Sequence, residues 1–147
     1  FVTKKIITAL CKIKKNKQKK LYLGNLNAKR DWGHAKDYVR AMWLMMQQSS
    51  PKDYVISTGK QYTVKQFLNL ASKKLGMKIR WTGKKEKEKG FWGNREIISI
   101  DKKYFRPTEV ESLKGNSYLA KKELKWKPYY NINSMIKEMI ENEYSKL

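Results

Sequence analysis

The stretch Leu21-Tyr22-Leu23-Gly24-Asn25-Leu26-Asn27-Ala28-Lys29-Arg30-Asp31-Trp32-Gly33-His34-Ala35-Lys36-Asp37-Tyr38 runs from an apolar segment through a turn into a helical pattern. Leu21-Tyr22-Leu23 reads as a strand, and Gly24-Asn25 as the turn that ends it. From about Asp37 to Gln48, Val39, Met42, Trp43 and Met46 fall at i, i+3, i+4 and i+7, one face of a helix. Between the two lie an arginine, two aspartates, a tryptophan and the only histidine of the chain. Ligands of α/β proteins bind at such strand-to-helix transitions, so the stretch is a candidate site. A structural reading competes with it: Asp37 caps the helix, Trp32 packs and Arg30 is solvated. The Met and Trp stripe is expected in the core, the usual fate of such a face.

Outward from this stretch the pattern continues as α/β. Towards the N-terminus, residues 3–16 read as a helix with Ile6, Ile7, Leu10 and Ile13 on one side, Thr3 as its cap and Cys11 in the core. A basic connection, Lys14 to Lys20, follows. Towards the C-terminus, Tyr54-Val55-Ile56-Ser57-Thr58 reads as a strand closed by Gly59. Thr63-Val64-Lys65-Gln66 is a capping box, flanked by Tyr62 and Phe67 as a hydrophobic staple. Val64, Phe67, Leu68, Ala71 and Leu75 continue that helix to Gly76 as its C′ residue. Ile79-Arg80-Trp81 is a brief strand, Gly83 to Gly93 a solvated loop of alternating lysine and glutamate, and Glu96 to Ile100 a further strand. In Tyr104-Phe105-Arg106-Pro107-Thr108-Glu109-Val110, Pro107 keeps Arg106 out of a helix. Gly115-Asn116-Ser117 caps a short helix with Leu119, Ala120 and Leu124. Trp126-Lys127-Pro128 stops it, and Asn131 caps a last helix through Ile132, Met135, Ile136, Met139 and Ile140. Strands alternating with helices define an α/β fold. Nothing repeats, and no segment has linker composition.

The 147 residues suffice for one domain with a real core, and the 40% apolar residues are spread along them. No apolar run approaches the ~20 residues of a membrane span, so no membrane partner is expected, and no signal peptide is read at Phe1. An opening Phe rather than Met leads us to expect lost sequence upstream. One cysteine rules out a disulfide framework and a Cys-type zinc site, and a reducing, cytoplasmic compartment fits. The net charge of +21 invites a nucleic-acid reading. Arginine, however, occupies only positions 30, 40, 80, 95 and 106 among 34 basic residues. Bidentate base and phosphate contacts lean on arginine, whereas these lysines are scattered over every polar face. No specific nucleic-acid binding is expected, only weak, salt-sensitive adhesion.

No glycine-rich phosphate loop follows any strand. No Ser/His/Asp or Cys/His set is evident, and His34 has no second histidine with which to hold a metal. What remains is binding chemistry. Arg30 and Arg106 can clamp a pyrophosphate, Glu109 can accept from a ribose diol, and Leu23-Gly24-Asn25 can offer backbone edges and a flat surface to a base.

Four ordered motifs then carry a resemblance: Phe1-Val2-Thr3-Lys4-Lys5-Ile6, Leu23 through Val39, Arg106-Pro107-Thr108-Glu109-Val110 and Leu124-Lys125-Trp126-Lys127-Pro128. Together they closely resemble the GDP-mannose 4,6-dehydratase family of extended short-chain dehydrogenases/reductases. The resemblance implies that residues 1–147 are the C-terminal, GDP-sugar-binding part, including the last α/β elements that would complete a Rossmann sheet. The N-terminal Rossmann half, which binds NADP and holds the Thr, Glu and Tyr-x-x-x-Lys catalytic groups, is absent. It implies a lyase that oxidises the mannose C4, eliminates water across C5–C6 and returns the hydride, on the way to GDP-fucose-type sugars. Carried onto this chain, it sets Val2 and Lys5 near the sugar and phosphates, and Leu23, Gly24 and Asn25 near guanine. It sets Arg30 and Arg106 on the pyrophosphate and Glu109 on the ribose, with no catalytic residue and no metal ligand, while Trp32, His34 and Asp37 either support the site residues from behind or are structural. GDP-mannose, the N-terminal half and subunits of a homo-oligomer are the implied partners, and the chain alone is expected to be inactive. Two other readings stand beside it: a stand-alone nucleotide-sugar-binding remnant, and a basic nucleic-acid-binding module.

Overall fold

Helix α1 (Val2–Lys14) buries Ile6, Ile7, Leu10, Cys11 and Ile13 along one side and ends on Lys12 and Lys14, whose charge suits the C-terminal dipole. The computed structural model describes residues 1–105, 108 and 110–147; the candidates Arg106 and Glu109 lie outside the described residues. Phe1 rather than Thr3 is the N-cap of α1, and it makes no side-chain cap bond. The lysine run then leads to β1 (Leu21–Leu23), which buries Leu21 and Leu23 and exposes Tyr22, as period-2 alternation requires.

A four-stranded mixed sheet forms around β1. It pairs in parallel with β6 (Arg95–Ile100), and beyond β6 lie β5 (Lys89–Trp92) and β4 (Ile79–Thr82), both antiparallel. The expected loop from Gly83 to Gly93 is therefore a turn of 3-10 helix (Lys85–Lys87) and a strand. Gly93-Asn94 is a two-residue hairpin turn, Trp92 facing Arg95, with Gly93 at φ +59° in the first turn position. A smaller ladder joins β2 (Lys29–Arg30) to β3 (Tyr62–Thr63).

Helices α3 (Val64–Lys74) and α5 (Ile132–Tyr144) cover the core with α1. The capping box of α3 forms as its sequence predicts: Thr63 Oγ1 accepts from Gln66 N at 3.0 Å, and Gln66 Oε1 from Thr63 N at 2.7 Å. Gly76 follows at φ +69°. Asn131 Oδ1 caps α5 by accepting from Asn133 N and Ser134 N. Lys4 of α1 pairs with Glu143 of α5, and the Lys17 ammonium donates to the Leu147 carbonyl, so the two ends of the chain lie together.

A second, smaller core joins Ala41 of α2 (Ala35–Met46) to Ala120 of α4 (Tyr118–Glu123), Leu124 and Trp126, with Leu44, Met45, Tyr54 and Ile56 against them. Two expectations fail here. Val39, Met42, Trp43 and Met46 are 63%, 60%, 61% and 81% exposed, because α2 turns Ala41, Leu44 and Met45 inward instead. Residues 54–58 are not a strand: they lie beside this core without a ladder partner among the described residues.

Candidate functional site

β1 and β6 run parallel, so their C-terminal ends meet at one edge of the sheet, where α/β proteins place ligands. Asp101 N donates to Leu23 O at 2.8 Å and carries the pairing one step past β6. The chain leaves β1 through Gly24–Asn27 and leaves β6 through a 3-10 turn, Lys102–Tyr104. Asp101 caps that turn by accepting from Lys103 N, and this bond, with the Lys103 ammonium, holds its carboxyl below the usual range. Only glycine fits at position 24, since a Cβ there would stand 2.4 Å from the Tyr104 carbonyl oxygen. This close approach brings Tyr104 and Phe105 over the turn. A cleft of about 210 Å³ results, with Gly24, Asn25, Leu26 and Asn27 on one side and Lys85, Glu86, Glu88 and Phe105 on the other.

On the far side of Tyr104, the Lys5 ammonium lies 3.5 Å from its ring centroid. Lys5, Thr8, Lys20, Tyr22 and Tyr104 line a neighbouring cleft of about 350 Å³. Lys20 donates to Glu96 at 2.6 Å, and this bond, joined by those from Ser99 and Lys89, pulls the Glu96 carboxyl down to about 2. Val2, one turn before Lys5, packs against the core. Of the predicted site residues, Gly24, Asn25 and Lys5 are thus grouped around Tyr104 and Phe105, and Leu23 delivers the turn to them from within the sheet.

Arg30 lies elsewhere. Its Nη1 donates to the carbonyls of Lys29 and Val110, at 2.8 and 2.7 Å. It lines a separate cleft of about 440 Å³ with Asp31, Trp32, Val55 and Lys114.

The rest of the opening motif is structural. Asp31 accepts from Thr58 N, Thr58 Oγ1 and Gly59 N, at 3.1, 2.5 and 2.8 Å. Trp32 meets Phe67 edge-on, with centroids 5.1 Å apart. His34, not Asp37, is the N-cap of α2: its Nδ1 accepts from Lys36 N, its Nε2 lies 3.1 Å from Glu138, and its ring stacks on Tyr130. The Lys36 bond, above all, draws the Glu138 carboxyl below its ordinary range. Asp37 is 2% exposed; its carboxylate accepts from Tyr129 N and Tyr130 N at 3.0 Å each, and its carbonyl from Trp126 Nε1 at 2.9 Å. A charged group so buried is stable because each oxygen has a donor.

Sequence reasoning missed the wall formed by Lys85, Glu86 and Glu88. Its signal was the pair Gly93-Asn94 between Phe91-Trp92 and Arg95-Glu96-Ile97, a hairpin signature that turns the expected loop into sheet. Glu88 is buried there and pairs with Lys65 of α3, which fixes the wall against the core.

The chain is similar to known proteins along nearly its whole length. The sequence model described as GDP-mannose 4,6 dehydratase matches residues 1–139. The GDP-mannose 4,6 dehydratase of Dictyostelium discoideum is 46% identical over 142 residues, which are 95% of this chain and 40% of that protein. The human GDP-mannose 4,6 dehydratase is 44% identical over 95% of this chain and 38% of its own length. The chain thus spans about two fifths of the curated relatives it matches. Among solved structures, RMD from Pseudomonas aeruginosa complexed with NADPH superposes with a TM-score of 0.78 at 15% identity, over 100% of this chain and 43% of that one. The dTDP-glucose 4,6-dehydratase of Bacillus anthracis in complex with NAD gives 0.67 at 21% identity, over 94% and 38%. These last two likenesses speak for the fold, and the sequence match along nearly the whole chain speaks for descent: the chain belongs to the GDP-mannose 4,6-dehydratase family.

Proposed function

We propose that this chain is the part of a GDP-mannose 4,6-dehydratase that holds the nucleotide sugar, with the base at the β1–β6 edge. The observation that supports it is the cleft between Gly24–Asn27 and Phe105, at the parallel end of the sheet in a chain matched by that family over residues 1–139. In this reading the Gly24–Asn27 backbone and the Asn25 amide meet the edge of guanine, and Phe105 offers its face a flat surface. Lys5, with Val2 one helical turn away, serves the phosphates and sugar as a mobile point charge; the family resemblance adds Arg30, from the separate cleft it lines, and Arg106 as planar forks on the pyrophosphate. Glu109 accepts from the ribose hydroxyls.

Among the described residues, β1 leads into Gly24–Asn27 and then β2, and β6 into a 3-10 turn. Neither passes through a glycine-rich turn into a helix N-terminus, the arrangement that cradles a dinucleotide. These residues do not fit NADP, and no chemical step is assigned to them. NADP and the proton-transfer groups belong, in this reading, to the N-terminal part of the enzyme, and the work of this chain is to bind and orient GDP-mannose in the reducing compartment of the cell.

Calorimetric titration tests the reading. The 147-residue chain is expected to take up GDP and GDP-mannose at least about tenfold more tightly than UDP-glucose, the discrimination one or two base-edge hydrogen bonds supply. Gly24→Val, which drives a side chain into the Tyr104 carbonyl, should abolish that preference, and Arg30→Lys should weaken GDP-mannose by roughly 1–3 kcal/mol. With NADP added, the chain alone should give no 4-keto product. Equal binding of UDP-glucose would remove the base site from this edge.

A further inference from the structure

The sheet is open along β4. This strand ends the order β1-β6-β5-β4 and is held on one side, by β5. Alternate residues of an edge strand turn their N–H and C=O groups away from the partner. Apart from the ladder to β5, no backbone hydrogen bond joins residues 78–82 to any described residue. Ile79 and Trp81 lie on the core side, where the Trp81 indole donates to Asn69 Oδ1 of α3 at 2.9 Å, while Arg80 is exposed. Between the end of α3 and β4 runs a groove of about 500 Å³. Ser72, Gly76, Met77 and Ile79 line it, with Lys73 and Lys78 exposed beside them. A Cβ at Gly76 would touch only the Lys14 ammonium, 3.9 Å away, so the groove is open there and a further cation reaches it from α1.

The charge here is one-sided. From Val64 to Lys85 the chain has seven basic residues and no acidic one. Lys65 is answered by Glu88, but Lys73, Lys78 and Arg80 have no carboxylate partner among the described residues. Lys4, Lys20, Lys36 and Lys52, on other faces, all meet carboxylates. A free ladder edge beside a groove is how sheets capture extended peptides: main-chain bonds supply affinity, and alternate side chains supply specificity. We propose that β4 binds an extended acidic segment of another protein, which adds to the sheet as a fifth strand. Its apolar side chains, at alternate positions, enter the groove beside Met77 and Ile79. The carboxylates between them meet Lys78 and Arg80, which share their two-residue spacing. A second copy of this chain fits less well, because two β4 edges would set Lys78 and Arg80 against like charges. Nucleic acid answers the charge but leaves the ladder and the groove unused. The groove and the Gly24–Asn27 cleft share no residue, so the inference stands apart from nucleotide-sugar binding.

The probe is a synthetic peptide, Asp-Val-Glu-Ile-Glu-Val-Asp, titrated into the 147-residue chain by calorimetry beside two forms of it, each N-methylated at one alternate set of amides. One methylated form should bind about tenfold more weakly than the parent peptide and the other like it, the signature of a strand paired along one edge. Bound parent peptide should slow exchange of the amides of residues 79–82 by about tenfold. Lys78→Glu together with Arg80→Glu should weaken it by about tenfold. No uptake of the parent peptide up to about 1 mM overturns the proposal. So do two methylated forms that both bind like the parent, or a DNA oligonucleotide of equal charge that protects the same amides equally, because the face is then a cationic surface alone. A dimer of the free chain that already protects these amides also overturns it, since the occupant is then a second copy.

Discussion

Helices α2 and α3 carry nearly the same apolar pattern and meet opposite fates. In α3, Val64, Phe67, Leu68 and Ala71 are buried, and Phe67 and Leu68 are wholly inaccessible. In α2, Val39, Met42, Trp43 and Met46 face outward; the helix is fixed by Ala41, Leu44 and Met45 in the smaller core and by polar groups: the His34 cap, the buried Asp37 carboxylate and the Trp126 bond to the Asp37 carbonyl. Periodicity reports that a face is built for burial. It does not report which piece of chain will do the burying.

The largest effect that sharpens this contrast comes from truncating one aromatic on each helix. Phe67→Ala should destabilise the chain by about 3–5 kcal/mol, the cost of losing a buried aromatic and leaving a cavity. Trp43→Ala should change it by less than about 0.5 kcal/mol, as at an open surface. Denaturant midpoints of the two variants decide this, and equal losses would mean that the α2 stripe is covered in the free chain. Asp37→Ala comes next. It takes the acidic acceptor from the amides of Tyr129 and Tyr130, and a hydrogen bond to a charged group contributes about 1.5–3 kcal/mol. A loss well above that of Trp43→Ala would establish that α2 is held by its polar latch. Titration gives the smallest effect. The folded pKa of Glu96, about 2, lies below its ordinary 4.5, so its ion pairs contribute stability above pH 4.5 that is lost as pH falls through 2. Melting curves of the parent and of Glu96→Gln should therefore converge between those limits, and a gap unchanged from pH 6 to pH 2 would remove Glu96 from the acid limb.

Where one residue's neighbours lie close in sequence, its role was legible. The capping box of α3, the Asn131 cap of α5 and the alternation of β1 follow from adjacent residues, and all are present. The α/β class survives as well, although one expected strand is unpaired and one expected loop is half sheet. The candidate site was legible in part. Gly24 and Asn25 stood out as a turn after a strand, but the wall opposite them comes from Lys85, Glu86 and Glu88, about 60 residues later, and no local pattern links the two. Asp37 was misread because an aspartate at a helix start usually caps it. Here the tertiary demand of two distant amides wins, and His34 takes the cap.

The pairing of α1 with α5 sets an order on the life of the chain. The ribosome releases Ile6, Ile7, Leu10 and Ile13 well before α5, which packs on α1 and binds Lys4 through Glu143. At common rates of synthesis α1 waits on the order of ten seconds for its cover. Until α5 emerges, a nascent chain therefore displays a sticky, basic amphipathic helix, and it is then that it most needs a chaperone. For the same reason a protease that removes α5 does more than trim: it uncovers the apolar side of α1, and the remainder should be degraded with it.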